Sequence, residues 1–189
     1  CRKRQFGGQC LQPPYFGVGL GGCMVQDGQP LRGAFGNAGE IGHLPSVPNG
    51  EFCPCGNQGC LERYVSFDAF ERRSKAVGAE AWLAEAAPLL RAAIVTIENL
   101  FDPETVIVGG LAGTDILSAL LDRIEPLSNS VSKRRERSHP RVTRSFGSPD
   151  AVLRGAAALA ISGVLSPRLG TMFAHGDAHD PMLKPVEAA

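Results

Sequence analysis

Gly39-Glu40-Ile41-Gly42-His43, and then Cys53-Pro54-Cys55-Gly56-Asn57-Gln58-Gly59-Cys60-Leu61-Glu62, is the stretch on which the reading of this chain turns. It offers one imidazole and three thiols: His43, Cys53, Cys55 and Cys60. Four soft or borderline donors in a tetrahedron suit zinc, and such a site is closed, with no position left for a reactive water. Gly56 and Gly59 let the backbone fold tightly enough for Cys60 to return to an ion held by Cys53 and Cys55. Three thiolates around a divalent ion leave a negative charge, which backbone N–H groups or Arg63 are expected to offset. The spacing is not that of a zinc finger, so DNA binding is not read from it. The competing reading is three free cysteines and a surface histidine crowded by chance.

Working outward, the other cysteines are Cys1, Cys10 and Cys23. An even count would suit disulfides in a secreted chain. Three thiols packed into residues 53–60 instead favour a metal site in a reducing cytoplasm. The chain of 189 residues is 43% hydrophobic and 20% charged, which fits a folded domain rather than a disordered one. Its 19 basic and 19 acidic residues cancel, so net charge implies neither a nucleic-acid nor a membrane partner. No apolar run approaches the roughly 18 residues of a membrane span. The opening Cys1-Arg2-Lys3-Arg4-Gln5 lacks the apolar segment of a secretory signal. A start on Cys rather than Met reads as a partial or processed chain.

Asp27-Gly28 between two short apolar segments predicts a hairpin, and the glycine run from Gly17 to Gly22 joins it to a preceding strand. Residues 33–60 show little periodicity, and a metal would explain how they stay ordered. Leu61 to Arg73 reads as a helix. From Gly78 to Leu100, Leu83, Ala87, Leu90, Ile94, Ile97 and Phe101 line one helical face, with Pro88 at a start or kink. Thr105 to Val108 is a buried strand broken by Gly109-Gly110, and Ile116 to Ile124 is a helix. Arg141 to Phe146 alternates like a strand, residues 151–165 are a buried helix, and the end is a weakly docked tail. The order predicts a mixed α/β domain. Trp82 reads as packing, and Lys133 to Arg137 with His139, Arg141 and Arg144 as a solvated helix end and loop.

The quoted motif resembles the signature of the ROK family of bacterial repressors, open reading frames and sugar kinases. Gly17 to Gly22 resembles that family's second phosphate-region motif, Asp102 to Gly110 its strand near adenosine, and Gly155-Ala156-Ala157-Ala158 its last helix. The resemblance implies an actin-like or ribonuclease-H-like α/β fold, with this chain as a single C-terminal lobe carrying a zinc-stapled loop. The implied organisation is an arm over 1–13, the ROK-like domain over 14–165 with its zinc loop at 39–62, and a tail over 166–189. Homodimers or tetramers and a cytoplasmic location are also implied. The positions matching sugar contacts are Glu40, His43 and Glu62, the histidine holding zinc and presenting its other nitrogen to sugar. Adjacent hydroxyls suit carboxylate acceptors. Turn capping at Glu40 and first-turn placement of Glu62 are the competing readings. Nucleotide would meet Gly17, Gly19, Gly21 and Gly22 at its phosphates and Gly109 and Gly110 at its adenosine, with ATP and Mg2+ implied only for a kinase.

Some family features have no counterpart here. No early Asp-x-Gly-Gly-Thr motif or Asn-Asp pair lies in the chain, so no aspartate matches the catalytic base and no kinase activity is expected from it alone. Gly17-Val18-Gly19 replaces the usual Gly-Thr-Gly, removing a hydroxyl. Three readings result. The first is the sugar-sensing effector lobe of a transcriptional regulator, meeting DNA only through a separate helix-turn-helix. It draws on Glu62 to Ser66, Gly110-Leu111-Ala112 and Leu165 to Arg168. The second is the C-terminal half of an ATP-dependent hexose or N-acetylhexosamine kinase. The third is a zinc-stabilised dimerisation remnant that binds no ligand.

Overall fold

A five-stranded sheet organises the domain, with strand order β3-β2-β1-β4-β5. The computed structural model describes residues 10–110, 114–134 and 136–145, together with Ala157 and Ile161. For residues 10–16 and Thr114 it describes the backbone alone. The chain divides into one compact unit through Phe146 and a second over Gly147–Ala189. In the second unit Ala157 and Ile161 are helical; the rest of the helix expected over 151–165 and the tail lie outside the described residues.

Strand β1 (Cys10–Phe16) begins inside the stretch read as an arm and runs antiparallel to β2 (Leu20–Gln26), which pairs antiparallel with β3 (Gln29–Pro30). Pro13 and Pro14 lie where the β1 register shifts against both neighbours, as expected for residues that cannot donate to a ladder. Asp27 and Gly28 both have positive φ, 51° and 77°, so the hairpin turn forms where the Asp-Gly pair predicts it. On the other side β1 runs parallel to β4 (Thr105–Gly110), which runs parallel to β5 (Val142–Arg144). β1 is therefore the strand at which an antiparallel meander meets a parallel half.

The connection from β3 to β4 contains α1 (Phe67–Val77) and α2 (Ala79–Phe101), and α3 (Thr114–Arg123) follows β4. Leu61 to Arg73, expected as one helix, is broken. Leu61–Arg63 is a 3-10 turn, and Ser66 starts α1 afresh by accepting the Ala69 N–H at 3.0 Å. A capping serine offers the backbone a new beginning, which explains the interruption. The helix α2 runs through Pro88 and ends at Asp102 in the left-handed conformation, ahead of Pro103.

One core joins Leu83, Ala87, Leu90, Ile94 and Ile97 of the predicted α2 stripe, with Phe101 partly buried against them, to Val106 and Val108 of β4 and Leu20 of β2. Trp82 lies in it, fully buried, its indole N–H donating to the Tyr64 carbonyl at 2.9 Å and its ring meeting Phe70 edge-on. No helix among the described residues is long and apolar enough to cross a membrane.

The basic segment after α3 differs from expectation. The described residues of 131–141 form no helix, and two of the arginines point inward. Arg137 donates to the carbonyls of Ser132, Pro103 and Glu104, and Arg141 forks onto the carboxylate of fully buried Glu98. These arginines staple the loop to the end of α2 because carbonyls and a carboxylate left there need donors.

Candidate metal and sugar site

The cysteine loop is a pair of nested returns. Pro45 bridges Cys60 and Phe52 bridges Gln58, both antiparallel. Cys53 N donates to Asn57 O at 2.8 Å, Gly56 N to Cys53 O at 2.9 Å, and Gly59 N to Glu51 O at 2.8 Å. At Gly59, φ is +71° and a Cβ would fall 1.7 Å from the Val47 carbonyl oxygen, so only glycine fits. Cys60 is thereby returned to Cys53 and Cys55.

The donor atoms of His43, Cys53, Cys55 and Cys60 all lie within 4.8 Å of one another. Cys53 Sγ is 3.6 Å from His43 Nδ1, and Cys55 Sγ is 3.6 Å from Cys60 Sγ. In a zinc tetrahedron with bonds of about 2.3 Å to sulfur and about 2.0 Å to nitrogen, the corresponding edges are about 3.8 Å and 3.5 Å. The residues therefore fit a four-coordinate divalent ion. Burial pushes the Cys53 and Cys60 thiols up, Cys60 to about 12, whereas a backbone hydrogen bond at Asn57 lowers exposed Cys55 to about 7. Two buried neutral thiols flanking a more acidic one form a pocket in which a cation would supply the missing charge.

Arg63, expected to offset the thiolates, turns elsewhere, 3.6 Å from Glu51 and 4.0 Å from Asp68. A donor that does reach the sulfurs is the Asn57 side-chain amide, 3.6 Å from Cys55 Sγ.

The predicted sugar residues converge on the imidazole. His43 turns Nδ1 toward the sulfurs and toward Glu62 Oε1, at 3.7 Å, and Nε2 toward Glu40 Oε2, at 3.9 Å. Glu40 stands at the start of the 3-10 turn Ile41–His43 but makes no side-chain cap, and its side chain is 61% exposed. Glu62 is in the first turn of its own short helix, yet Oε2 reaches out of it to the Leu20 N–H at 3.5 Å.

The predicted nucleotide glycines fall in three places. Gly17 and Gly19 form the β1–β2 turn, and the Gly17 carbonyl accepts the Phe67 N–H at the start of α1. Gly21 and Gly22 lie within β2, where a Cβ on Gly22 would meet the Ile41 side chain at 3.0 Å. Gly109 and Gly110 pair with Tyr15 and Phe16, so they end β4 beside the glycine turn. The carboxyl ends of parallel strands, at the point where the strand order reverses, are where open α/β sheets bind ligands, and here the order reverses at β1. Val18, between the turn glycines, is 76% exposed.

Two further residues organise this region without having been singled out for it. Glu51 lies among Arg63, Arg72 and Arg73, and the Tyr64 hydroxyl accepts the Glu51 N–H at 2.8 Å. The acidic-before-cysteine position and the basic pair on α1 were visible, but their meeting depends on the helix break at residues 64–66.

The molecule is thus an α/β domain of the kind whose sheet changes direction at one strand and carries a metal-capable loop beside that strand's end. It belongs to the ROK family, whose model matches residues 14–162. The chain is similar to the N-acetylmannosamine kinase of Vibrio cholerae serotype O1, with 29% identity over 158 residues, 74% of this chain and 53% of that protein. It is similar also to the xylose repressor of Caldicellulosiruptor bescii, with 26% identity over 182 residues, 79% of this chain and 45% of that protein. The ROK family glucokinase of Streptomyces griseus, solved with glucose and AMPPNP, superposes with a TM-score of 0.65 at 29% identity, covering 84% of this chain and 62% of that one. The fold shared with such neighbours is the actin-like, ribonuclease-H-like α/β fold. The chain spans about half the length of these curated relatives, and they include both a kinase and a repressor.

Proposed function

We propose that this chain is the sugar-sensing C-terminal lobe of a ROK-type regulator, with zinc at His43, Cys53, Cys55 and Cys60. The observation that carries the sugar site is the placement of Glu40 and Glu62 on either side of one imidazole, beside the β1–β2 turn. Zinc on Nδ1 would fix the ring and leave the Nε2–H as a donor of set direction. Glu40, Glu62 and that N–H then offer two carboxylates and one donor to a polyol, a pattern that matches adjacent sugar hydroxyls. Sensing follows if sugar binds one arrangement of the whole protein better than another, with DNA contacted by a separate helix-turn-helix and the lobes paired as a homodimer or tetramer.

The apolar, exposed Val18 favours a regulator over a kinase, since it puts a methyl-bearing side chain where a hydroxyl would meet phosphate. The kinase reading has its own support in the adjacency of Gly109 and Gly110 to the Gly17–Gly19 turn, a place for ATP with Mg2+ beside a sugar. Calorimetric titration of the zinc-loaded chain with glucose, N-acetylglucosamine and N-acetylmannosamine tests the sugar site. Titration with Mg·ATP and an assay for sugar phosphate follow. Submillimolar sugar binding with no heat from Mg·ATP supports the sensor, and Mg·ATP binding or phosphorylation supports the kinase. No heat with any sugar favours a zinc-stabilised dimerisation domain that binds no ligand.

A further inference from the structure

The cysteine loop is tied to the helices by contacts that use none of its metal ligands. Glu51, just before the Phe52 bridge, has Oε1 2.9 Å from Arg73 Nη1 and Oε2 3.4 Å from Arg72 Nη1 and 3.6 Å from Arg63 Nη2. Two of these guanidiniums are held from behind. Arg72 donates to Asp68 at 2.9 Å, and Arg73 bonds Glu85 at 2.5 Å while lying 4.7 Å over the Tyr64 ring. The Glu51 backbone is equally engaged, its N–H on the buried Tyr64 hydroxyl and its carbonyl on the Gly59 N–H. One residue thus connects α1, the core tyrosine and the far arm of the cysteine hairpin. An isolated surface ion pair contributes little, but a carboxylate shared by three guanidiniums, two of them held by further carboxylates, fixes a position.

We propose that Glu51 is a positioning residue that pre-forms the cysteine loop, so that Cys53, Cys55 and Cys60 are gathered before any metal arrives. This inference rests on the metal reading for its effect on affinity, and on the Glu51 contacts alone for loop order. Metal then enters a made site instead of folding one, which keeps the Glu62 face formed in the metal-free protein.

The test uses the reduced, chelator-treated chain. Hydrogen exchange should show the Cys53, Gly56 and Gly59 amides protected in the wild type. Glu51→Gln should lower that protection about tenfold or more while leaving α2 unchanged. Cobalt(II) titration, read by the thiolate-to-cobalt charge-transfer band, should show affinity weakened about tenfold or more by Glu51→Gln. Glu80→Gln, whose carboxylate pairs with Arg123, should leave both readings unchanged. If Glu51→Gln does not fold, Arg72→Lys keeps the charge, loses the fork and carries the same comparison. Wild-type loop amides that exchange freely without metal, or a variant matching wild type in both readings, would overturn the proposal. A protected loop that binds no cobalt would refute the metal reading and leave the role of Glu51 standing.

Discussion

Glu62 Oε1 stands 3.7 Å from His43 Nδ1, while the other oxygen of the same carboxylate receives the Leu20 N–H at 3.5 Å. One side chain therefore spans the His–Cys cluster and the strand that leaves the glycine turn. Glu62→Gln keeps the shape and removes the charge. Charge-assisted hydrogen bonds are worth about 1.5–3 kcal/mol, so sugar affinity should fall about tenfold or more. The far-ultraviolet spectrum and zinc content should be unchanged. Calorimetry with the same three sugars checks this, and an unaltered affinity would remove the carboxylate from the site.

Gly19→Ala probes the same carboxylate from the turn. A Cβ there would lie 2.9 Å from Glu62 Oε2, closer than a carbon and an oxygen tolerate. The atom in the way ends a flexible side chain, so the fold should lose no more than about 1 kcal/mol. Glu62 must swing aside, however, and sugar binding should weaken severalfold. Urea midpoints and sugar titrations on one preparation separate the two effects; weakened stability with unchanged binding would contradict the placement.

Much of this was legible in the sequence, for reasons that differ from element to element. The α2 stripe was legible because Leu83, Leu90, Ile94 and Ile97 repeat at helical spacing and are buried as that spacing requires. The turn at Asp27-Gly28 was legible because few residues accept positive φ there. The grouping of His43 with three cysteines was legible because ligand type and spacing are local in the chain. The partner of Arg63 was not, since Glu51 and Asp68 reach it from a hairpin and a helix that only the tertiary fold brings together. The inward turn of Arg137 and Arg141 was hidden for the same reason. A basic run looks solvated until the orphan carbonyls after α2 and the buried Glu98 are placed beside it.

Cys55→Ala removes the exposed member of the cluster, the thiol lowered to about 7. With one of four donors gone, zinc measured by elemental analysis should become substoichiometric. Zinc should also cease to raise the melting temperature, because a ligand stabilises only the state that binds it. Residues 43–60 should exchange faster as a group, short of full exposure where Glu51 and Tyr64 still hold the loop. Stoichiometric zinc with wild-type stability would sink the assignment of Cys55 as a ligand.

The pH response of the fold should be read most clearly at Glu98 and Arg141. Glu98 is fully buried, and burial alone would push its carboxyl up. Hydrogen bonds from Arg141 and Ser130, with the charges of Arg141 and Arg137, outweigh that and hold it below the ordinary carboxylate range. In the unfolded chain the group titrates near its usual value, about 4.3. A depressed folded value means that the unfolded state binds the proton first as the solution is acidified. The stabilisation is thus complete above the ordinary carboxylate range and is lost as pH falls through the lower folded value. Urea midpoints from neutral to acidic pH should fall more steeply for wild type than for Glu98→Gln, which has no charge to lose. Arg141→Met strands the carboxylate in the core, and breaking a buried pair from one side costs about 3–5 kcal/mol at neutral pH. That deficit should shrink on acidification, as protonation relieves the unpaired charge. Parallel acid profiles for wild type and both variants would show that the Glu98 carboxyl titrates alike in the folded and unfolded chain, against the depressed value.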